Sequence, residues 1–167
     1  SVPHQSERDT AVFLFTSGSE STPKTVPLTH LNLLTNIHDS LAVLEPDHTD
    51  SLLGFLPPFH SFGLTGNVLL PQLSGIRSVR YADPTDASGL VRLISTYKPS
   101  LLFTTPTFLG YILANAAGDE LQSLRKIITG AEACPEATHV LCKQKAAKAI
   151  ILEGYGITEC SPVVSAN

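Results

Sequence analysis

What most constrains this chain is an alternation. Short, uninterrupted apolar runs recur along it, separated by stretches with helical periodicity. The runs are Ser51-Leu-Leu-Gly-Phe-Leu56, Ser78-Val-Arg-Tyr81, Leu101-Leu-Phe103, Arg125-Lys-Ile-Ile-Thr129 and Ala149-Ile-Ile-Leu152. Runs of this length suit strands covered on both faces, and such strands belong to parallel sheets with helical crossovers. Between them, helices are expected over about 29–44, near 64–73, and over 87–97, 106–116 and 135–147. Thr29 suits an N-cap, with Leu34, Ile37, Leu41 and Leu44 recurring at three and four. Leu90, Leu93, Ile94 and Tyr97 share a face of the third helix, and Pro106 suits the first turn of the fourth. An earlier run, Ala11-Val-Phe-Leu-Phe15, reads as one more buried strand. The expected fold class is α/β, a parallel sheet flanked by helices on both faces, in a single subdomain spanning 1–167.

Composition narrows the function. The 167 residues carry a net charge of −4 and contain no basic cluster, so no nucleic-acid partner is expected. No apolar run approaches the roughly 18 residues of a membrane span, so no transmembrane segment is expected. Cys134, Cys142 and Cys160 show no C-x-x-C spacing; neither a disulfide framework nor a zinc site is expected, and a reducing, cytoplasmic setting fits. Cys142, within a helical pattern, reads as a small core residue. There is no methionine at all, so Ser1 is not a natural start and the chain reads as a fragment of a larger protein.

The chemistry concentrates in a few segments. Thr16-Ser-Gly-Ser-Glu-Ser-Thr-Pro-Lys24-Thr25 follows the first apolar run. Its hydroxyls and backbone N–H groups can donate to phosphate oxygens, and its lysine supplies the opposing charge. The spacing from Gly18 to Lys24 approaches that of a P-loop, but Pro23 stands where the second glycine belongs and removes an N–H donor. A polar surface loop has the same composition, and residue types alone do not separate the two. Gly154-Tyr-Gly-Ile-Thr-Glu159 sets an aromatic ring between glycines that permit close backbone approach. Tyr155 can stack on a flat base, Thr158 can donate to an anion and Glu159 can ligate Mg²⁺; a turn with a half-buried Tyr and a surface acid reads equally well.

Gly130-Ala131-Glu132 is a shorter turn after a predicted strand. In open α/β sheets ligands bind beyond the carboxyl ends of strands, and all three segments are expected there, on one sheet edge. Pro57-Pro-Phe-His60-Ser61-Phe-Gly63 places a histidine among aromatics, either as a pocket wall or as a satisfied loop residue. Adjacent His60 and Ser61 do not make a catalytic dyad, and the nucleophile-elbow pattern lacks its first glycine. His4 and Asp9 share a His-x4-Asp spacing without supporting context. His38, His48 and His139 lack partners at metal spacing and read as solvated surface positions.

Taken in order, the hydroxyl loop, Leu28-Thr29-His30, the Gly-Ala-Glu turn and Gly-Tyr-Gly-x-Thr-Glu resemble the acyl-adenylate-forming family. That family includes acyl-CoA synthetases, luciferases and nonribosomal peptide adenylation domains, and the resemblance spans nearly the whole chain. Phe15–Glu20, Leu56–Thr65, Thr107–Gly110 and Leu152–Ser165 resemble one subgroup further: the acyl–acyl carrier protein synthetase domain of the bifunctional 2-acylglycerophosphoethanolamine acyltransferase.

The resemblance implies ATP and Mg²⁺ as cofactors and a fatty acid as substrate. It implies acyl carrier protein or coenzyme A as the accepting thiol, and a lysophospholipid reached through a fused acyltransferase domain. The expected location is the cytoplasmic face, with a parent protein associated with the inner membrane. By the same resemblance Thr16, Ser17, Gly18, Ser19, Thr22 and Lys24 would hold the β- and γ-phosphates. Gly130, Ala131 and Glu132 would border the adenine, and Tyr155, between Gly154 and Gly156, would stack on it. Thr158 would contact the α-phosphate and Glu159 would bind Mg²⁺. His60 would sit where carboxylate and adenylate meet, with Phe62 and the Phe108 region along the acyl chain; Lys24, His60, Thr158 and Glu159 form the expected catalytic set.

The chain departs from the family pattern at Ser21 and Thr25, where glycines are usual. A side chain at a position needing positive φ costs roughly 1–2 kcal/mol, so a catalytically weakened nucleotide-binding module is the alternative reading. An N-terminal portion, the ribose-binding region and the C-terminal lid with its lysine are expected outside these residues.

Overall fold

The computed structural model describes residues 6–16 and 24–167. Five parallel strands form most of a six-stranded sheet: β3 (Ser51–Gly54), β4 (Arg77–Arg80), β5 (Leu101–Thr104), β6 (Lys126–Thr129) and β7 (Ile150–Gly156). β8 (Val163–Ala166) completes it antiparallel to β7, in the order β4-β3-β5-β6-β7-β8. Every residue of β3 and β5 is buried, as their continuous apolar runs demand of strands covered on both faces. Leu52 pairs in register with Leu101, Leu102 with Ile127, and Ile127 with Ile151, which carries the apolar ladder across the sheet.

The helices are α1 (His30–Leu44), α2 (Leu70–Ser74), α3 (Ala87–Tyr97), α4 (Pro106–Asn115) and α5 (Glu136–Lys145), with a π-helical segment, Gly63–Leu69, running into α2. α4 packs between α3 and α5, whereas α1 packs on α2 and the π-helical segment. Right-handed crossovers explain the two layers. The chain steps from β3 to β4 in one direction, then from β4 to β5, β6 and β7 in the other, so the connecting helices change face. That reversal opens a crevice above the carboxyl ends of β3 and β5, where such sheets bind ligands.

Caps fix the helix starts. The Thr29 hydroxyl accepts from the Asn32 N–H at 3.1 Å while the Asn32 side-chain oxygen accepts from the Thr29 N–H at 3.0 Å, a reciprocal capping box for α1. Asp86 accepts from the Gly89 N–H at 2.8 Å to start α3. Thr105 accepts from the Phe108 N–H at 3.3 Å, with Pro106 in the first turn of α4. Among the described residues no helix is long and apolar enough to cross a membrane.

Some elements differ from the sequence-based expectation. Ala11–Phe15 is not a buried strand of the parallel sheet. It lies in β1 (Thr10–Thr16), which pairs antiparallel with β2 (Lys24–Thr29) in a separate two-stranded ribbon. Only Leu14 of that run is buried, while Phe13 and Phe15 are 60% and 67% exposed. The apolar run is a one-sided strand carrying aromatics on its open face. In α1 the inward stripe is Leu33, Ile37 and Leu44, with Leu34 turned outward at 48% exposure. The last parallel strand does not stop at Leu152 but continues to Gly156, because β8 supplies it with a second partner. His139 is not a solvated surface residue: it pairs with Glu153 at 3.1 Å and its side chain is 24% exposed.

Candidate nucleotide- and acyl-binding site

The loops leaving β3, β5, β6 and β7 converge on one cavity of about 660 Å³. After β3 the chain runs through Pro57–Phe62 and turns into the π-helical segment. Gly63 makes that turn possible, since a Cβ there would lie 2.1 Å from the Pro57 carbonyl oxygen. The buried Asn67 holds the strand exit. With its amide oxygen facing β3 it accepts from the Phe55 and Leu56 N–H groups at 3.1 and 2.9 Å. Gly66 lets the segment press against the Phe103 ring, and a Cβ there would lie 2.6 Å from it.

The cavity wall is thereby aromatic. Phe62 stands 5.9 Å from Phe103 between ring centroids, and Phe108 meets Phe55 edge-on at 6.0 Å. At the rim the Ser61 and Thr158 hydroxyls lie 3.3 Å apart, bringing the β3 and β7 loops together. His60, exposed, tilts against Phe59 with centroids 4.6 Å apart and also lines the cavity. An apolar, aromatic interior beneath a hydroxyl-bearing rim suits a ligand with a carbon tail and a polar, anionic head.

The β6 and β7 ends form another wall. Gly130 donates its N–H to the Thr104 carbonyl at 3.3 Å, and a Cβ there would lie 3.3 Å from the Phe62 ring. Ala131 follows with φ 70°, a left-handed conformation that exposes the turn's edge to the cavity. Gly154, Tyr155 and Gly156 lie within β7 rather than in a free turn. Tyr155 is 65% exposed, an open ring face at the cavity wall. Gly156 faces a tight crossing: a Cβ would lie 2.1 Å from the Pro162 carbonyl oxygen, which accepts from the Ile157 N–H at 3.0 Å. Between these closing points the chain forms a short 3-10 turn, Thr158–Cys160.

The expected site residues therefore divide. His60, Gly130, Ala131, Gly154, Tyr155, Gly156 and Thr158 line one cavity. Glu159 is exposed beside Thr158, outside that wall. Glu132 turns to accept from the Thr107 hydroxyl at 2.6 Å. Thr16 and Lys24 face each other as the end pair of the β1–β2 ribbon and do not line the cavity. The expected placement of the hydroxyl loop beyond a strand of the parallel sheet is thus corrected, because it joins two antiparallel strands. The ribbon still reaches the site through Leu14 and Phe15. Ser17, Gly18, Ser19, Ser21 and Thr22 lie outside the described residues. Thr25, one of the two departures from the family pattern, lies in β2 and pairs with Phe15 of β1. A strand's extended backbone accepts any side chain, so Thr25 imposes no left-handed strain.

Among the described residues no group of three or more His, Cys, Asp and Glu is placed to hold a metal. Glu159 next to Thr158 provides a lone carboxylate and a hydroxyl, a donor set that fits a hard cation shared with phosphate oxygens rather than a protein-only cage.

Sequence reasoning missed several participants. Asn36 on α1, Phe103 and the β8 residues Val163 and Val164 all line the cavity. Asn36 had a signal, a polar residue interrupting the Leu33–Ile37–Leu44 stripe. β8 had a weaker one, the β-branched pair after Pro162. Phe103 was read as strand core, which it is, yet its ring is also cavity wall.

Comparison with known proteins bears on the family and the fold. The family model described as AMP-binding enzyme matches residues 1–167. A long-chain-fatty-acid–CoA ligase of Haemophilus influenzae is 31% identical over 170 residues, covering 98% of this chain and 30% of its own length. A probable 4-coumarate–CoA ligase of Dictyostelium discoideum is 32% identical over 160 residues, covering 93% of this chain and 29% of its own. The crystal structure of a long-chain-fatty-acid–CoA ligase from Archaeoglobus fulgidus superposes with a TM-score of 0.83 at 27% identity, over 96% of this chain and 34% of that one. The chain thus spans about 30% of the length of the curated relatives it matches.

Proposed function

As this chain belongs to the AMP-binding enzyme family, we propose that it forms the nucleotide- and acyl-binding core of an ATP-dependent acid–thiol ligase acting on a fatty acid. The observation that carries the reading is the single cavity in which an aromatic interior meets the Ser61–Thr158 rim and the open Tyr155 ring. The fatty-acid ligases among its relatives support the choice of acid.

In the proposed reaction a carboxylate oxygen attacks the α-phosphorus of ATP, the bond to the bridging oxygen breaks, and pyrophosphate leaves. The product is a mixed acyl–phosphate anhydride. A thiolate then attacks its carbonyl carbon, and AMP departs with the electron pair of the broken C–O bond. Little of this is covalent work for the protein, so positioning and charge neutralisation dominate. Phe62, Phe103 and Phe108 bury the acyl chain and exclude water from the anhydride. Tyr155 stacks on the base against the edge of Gly130 and Ala131. Thr158 donates to the α-phosphate, and Lys24 with Thr16 and the residues between them neutralises the departing pyrophosphate. His60 stands at the junction of carboxylate and adenylate. Glu159 would hold Mg²⁺, which when bound supplies charge neutralisation on the phosphate oxygens.

Coenzyme A is the thiol that the relatives' names carry. Acyl carrier protein as acceptor, a lysophospholipid as final acyl recipient, and a place on the cytoplasmic face of a membrane rest on the motif-level resemblance alone. The test is exchange of labelled pyrophosphate into ATP by the full-length protein across a panel of carboxylic acids. Exchange with long-chain acids is expected, and none with any acid would sink the reading. Adding coenzyme A or acyl carrier protein then separates the acceptors. The Ser21 substitution favours a second reading, a weakened nucleotide-binding module; exchange arising only in Ser21→Gly would establish it.

A further inference from the structure

The loop that carries Thr158 and Glu159 is anchored from outside the sheet. Asn36, in the second turn of α1, donates its side-chain amide to the Val163 carbonyl at 2.7 Å and the Cys160 carbonyl at 3.2 Å, and accepts from the Val163 N–H at 3.3 Å. Thr65, buried in the π-helical segment, donates its hydroxyl to the Ser161 carbonyl at 3.2 Å. The loop's neck is closed by the Ile157–Pro162 hydrogen bond at 3.0 Å, across the crossing that only Gly156 fits. The Cys160, Ser161 and Val163 carbonyls and the Val163 N–H are thus held by partners on α1 and the π-helical segment, while the Cys160 and Ser161 N–H groups and the Pro162 carbonyl close the loop on itself.

The other end of α1 is equally constrained. β2 ends at Thr29 and α1 begins at His30, with no linker between them and a capping box across the junction. β2 begins at Lys24, opposite Thr16. A continuous unit therefore runs from Lys24, along β2 and the first two turns of α1, to the Asn36 amide. An amide side chain in contact with three backbone groups fixes orientation as well as distance, and misplacing a reacting group by about 1 Å costs on the order of a hundredfold in rate.

We propose that Asn36 is a positioning residue that holds the Thr158–Glu159 loop in register with Lys24, at the start of the β2–α1 unit that carries Asn36 itself. The proposal rests on the adenylation reading for its kinetic consequence, and on geometry alone for the anchoring. Thr65 steadies the same loop at Ser161.

The test compares Asn36→Asp, Asn36→Ala and the control His38→Ala in the full-length protein. Asp has nearly the shape of Asn but donates nothing to the Cys160 and Val163 carbonyls and sets a carboxylate against them. His38 lies two residues on, its side chain 85% exposed. Expected is a fall in kcat for pyrophosphate exchange on the order of tenfold to a hundredfold in both Asn36 variants, with KM for the acid within about threefold. His38→Ala should match wild type. Hydrogen–deuterium exchange of 157–163 is read on the same samples, at temperatures where thermal unfolding shows each variant folded. Faster exchange of that segment in Asn36→Asp supports the anchoring even if wild type proves inactive, an outcome that would sink the adenylation reading instead. Wild-type kcat, or unchanged loop exchange, in a folded Asn36→Asp protein overturns the proposal. If Asn36→Asp fails to fold, Thr65→Val, which removes only the donor to Ser161, takes its place under the same readouts and the same overturning result.

Discussion

At the scale of single residues, close backbone crossings and buried carbonyl partners shape this site more than its titratable groups do. Gly156→Ala would force a methyl to 2.1 Å from the Pro162 carbonyl oxygen. Because backbone rather than a flexible side chain stands in the way, the expected cost is about 1–3 kcal/mol in urea unfolding, as for other overpacked positions. The cysteines should separate by reactivity. Cys142 is buried, and burial together with neighbouring Cys134 pushes its thiol up to about 11; Cys134 is also raised, first by burial and then by Glu153 and Glu136. Cys160 is exposed. Thiolate is the reacting form, so iodoacetamide at pH 7.5 should alkylate Cys160 first and Cys142 only on unfolding, as read by peptide mass spectrometry. Early modification of Cys142 would contradict its placement in the core.

At the scale of elements, helix starts and one loop clamp are the points to probe. Thr29→Ala removes half of the α1 capping box, and a loss of about 0.5–2 kcal/mol is expected from chemical denaturation. Pairing it with Asn32→Ala should give less than the sum of the single effects, because the two side chains cap each other. The turn after α1 has its own device. Asp47 accepts from Thr49 through side chain and backbone and from Arg125, and these interactions, Thr49 first, lower its carboxyl from 3.8 to about 2. A folded value below the unfolded one means that the contribution is present above pH 4 and is lost as pH falls toward 2. Asp47→Asn should therefore flatten the stability profile between pH 4 and pH 2 while leaving its shape at neutral pH unchanged. An undiminished acid slope in that variant would refute the assignment.

At the scale of the whole molecule, the packed part is the leucine-rich sheet and the open part is the β1–β2 ribbon. Leu53, fully buried in β3, should cost about 2–5 kcal/mol when truncated to alanine. The ribbon presents Phe13 and Phe15 outward, next to a cavity that also carries the exposed Tyr155 and Val164. Clustered exposed apolar groups favour association. The 167-residue chain by itself should self-associate at high concentration in light scattering, and Phe13→Ser with Phe15→Ser should reduce it. Unchanged association would place the sticky surface elsewhere.

Local pattern was enough for the α/β class, for the parallel core strands and for helices α1, α3, α4 and α5, because burial on both faces and a 3.6-residue period are written into consecutive residues. For His60, Gly130, Tyr155 and Thr158 residue types alone left a bland alternative open; the resemblance of the motifs in order brought them forward, and the fold places them on one cavity. The antiparallel ribbon, β8 and the length of β7 needed the folded chain, since each depends on a partner strand. So did the direction of Leu33 against Leu34, which is set by what α1 packs on, and the pairing of His139 with Glu153 across α5 and β7. Asn36 shows the division most clearly: its identity stands out on the apolar stripe of α1, but the carbonyls it serves lie 124 and 127 residues away, and only the packing of α1 against β8 brings them within reach.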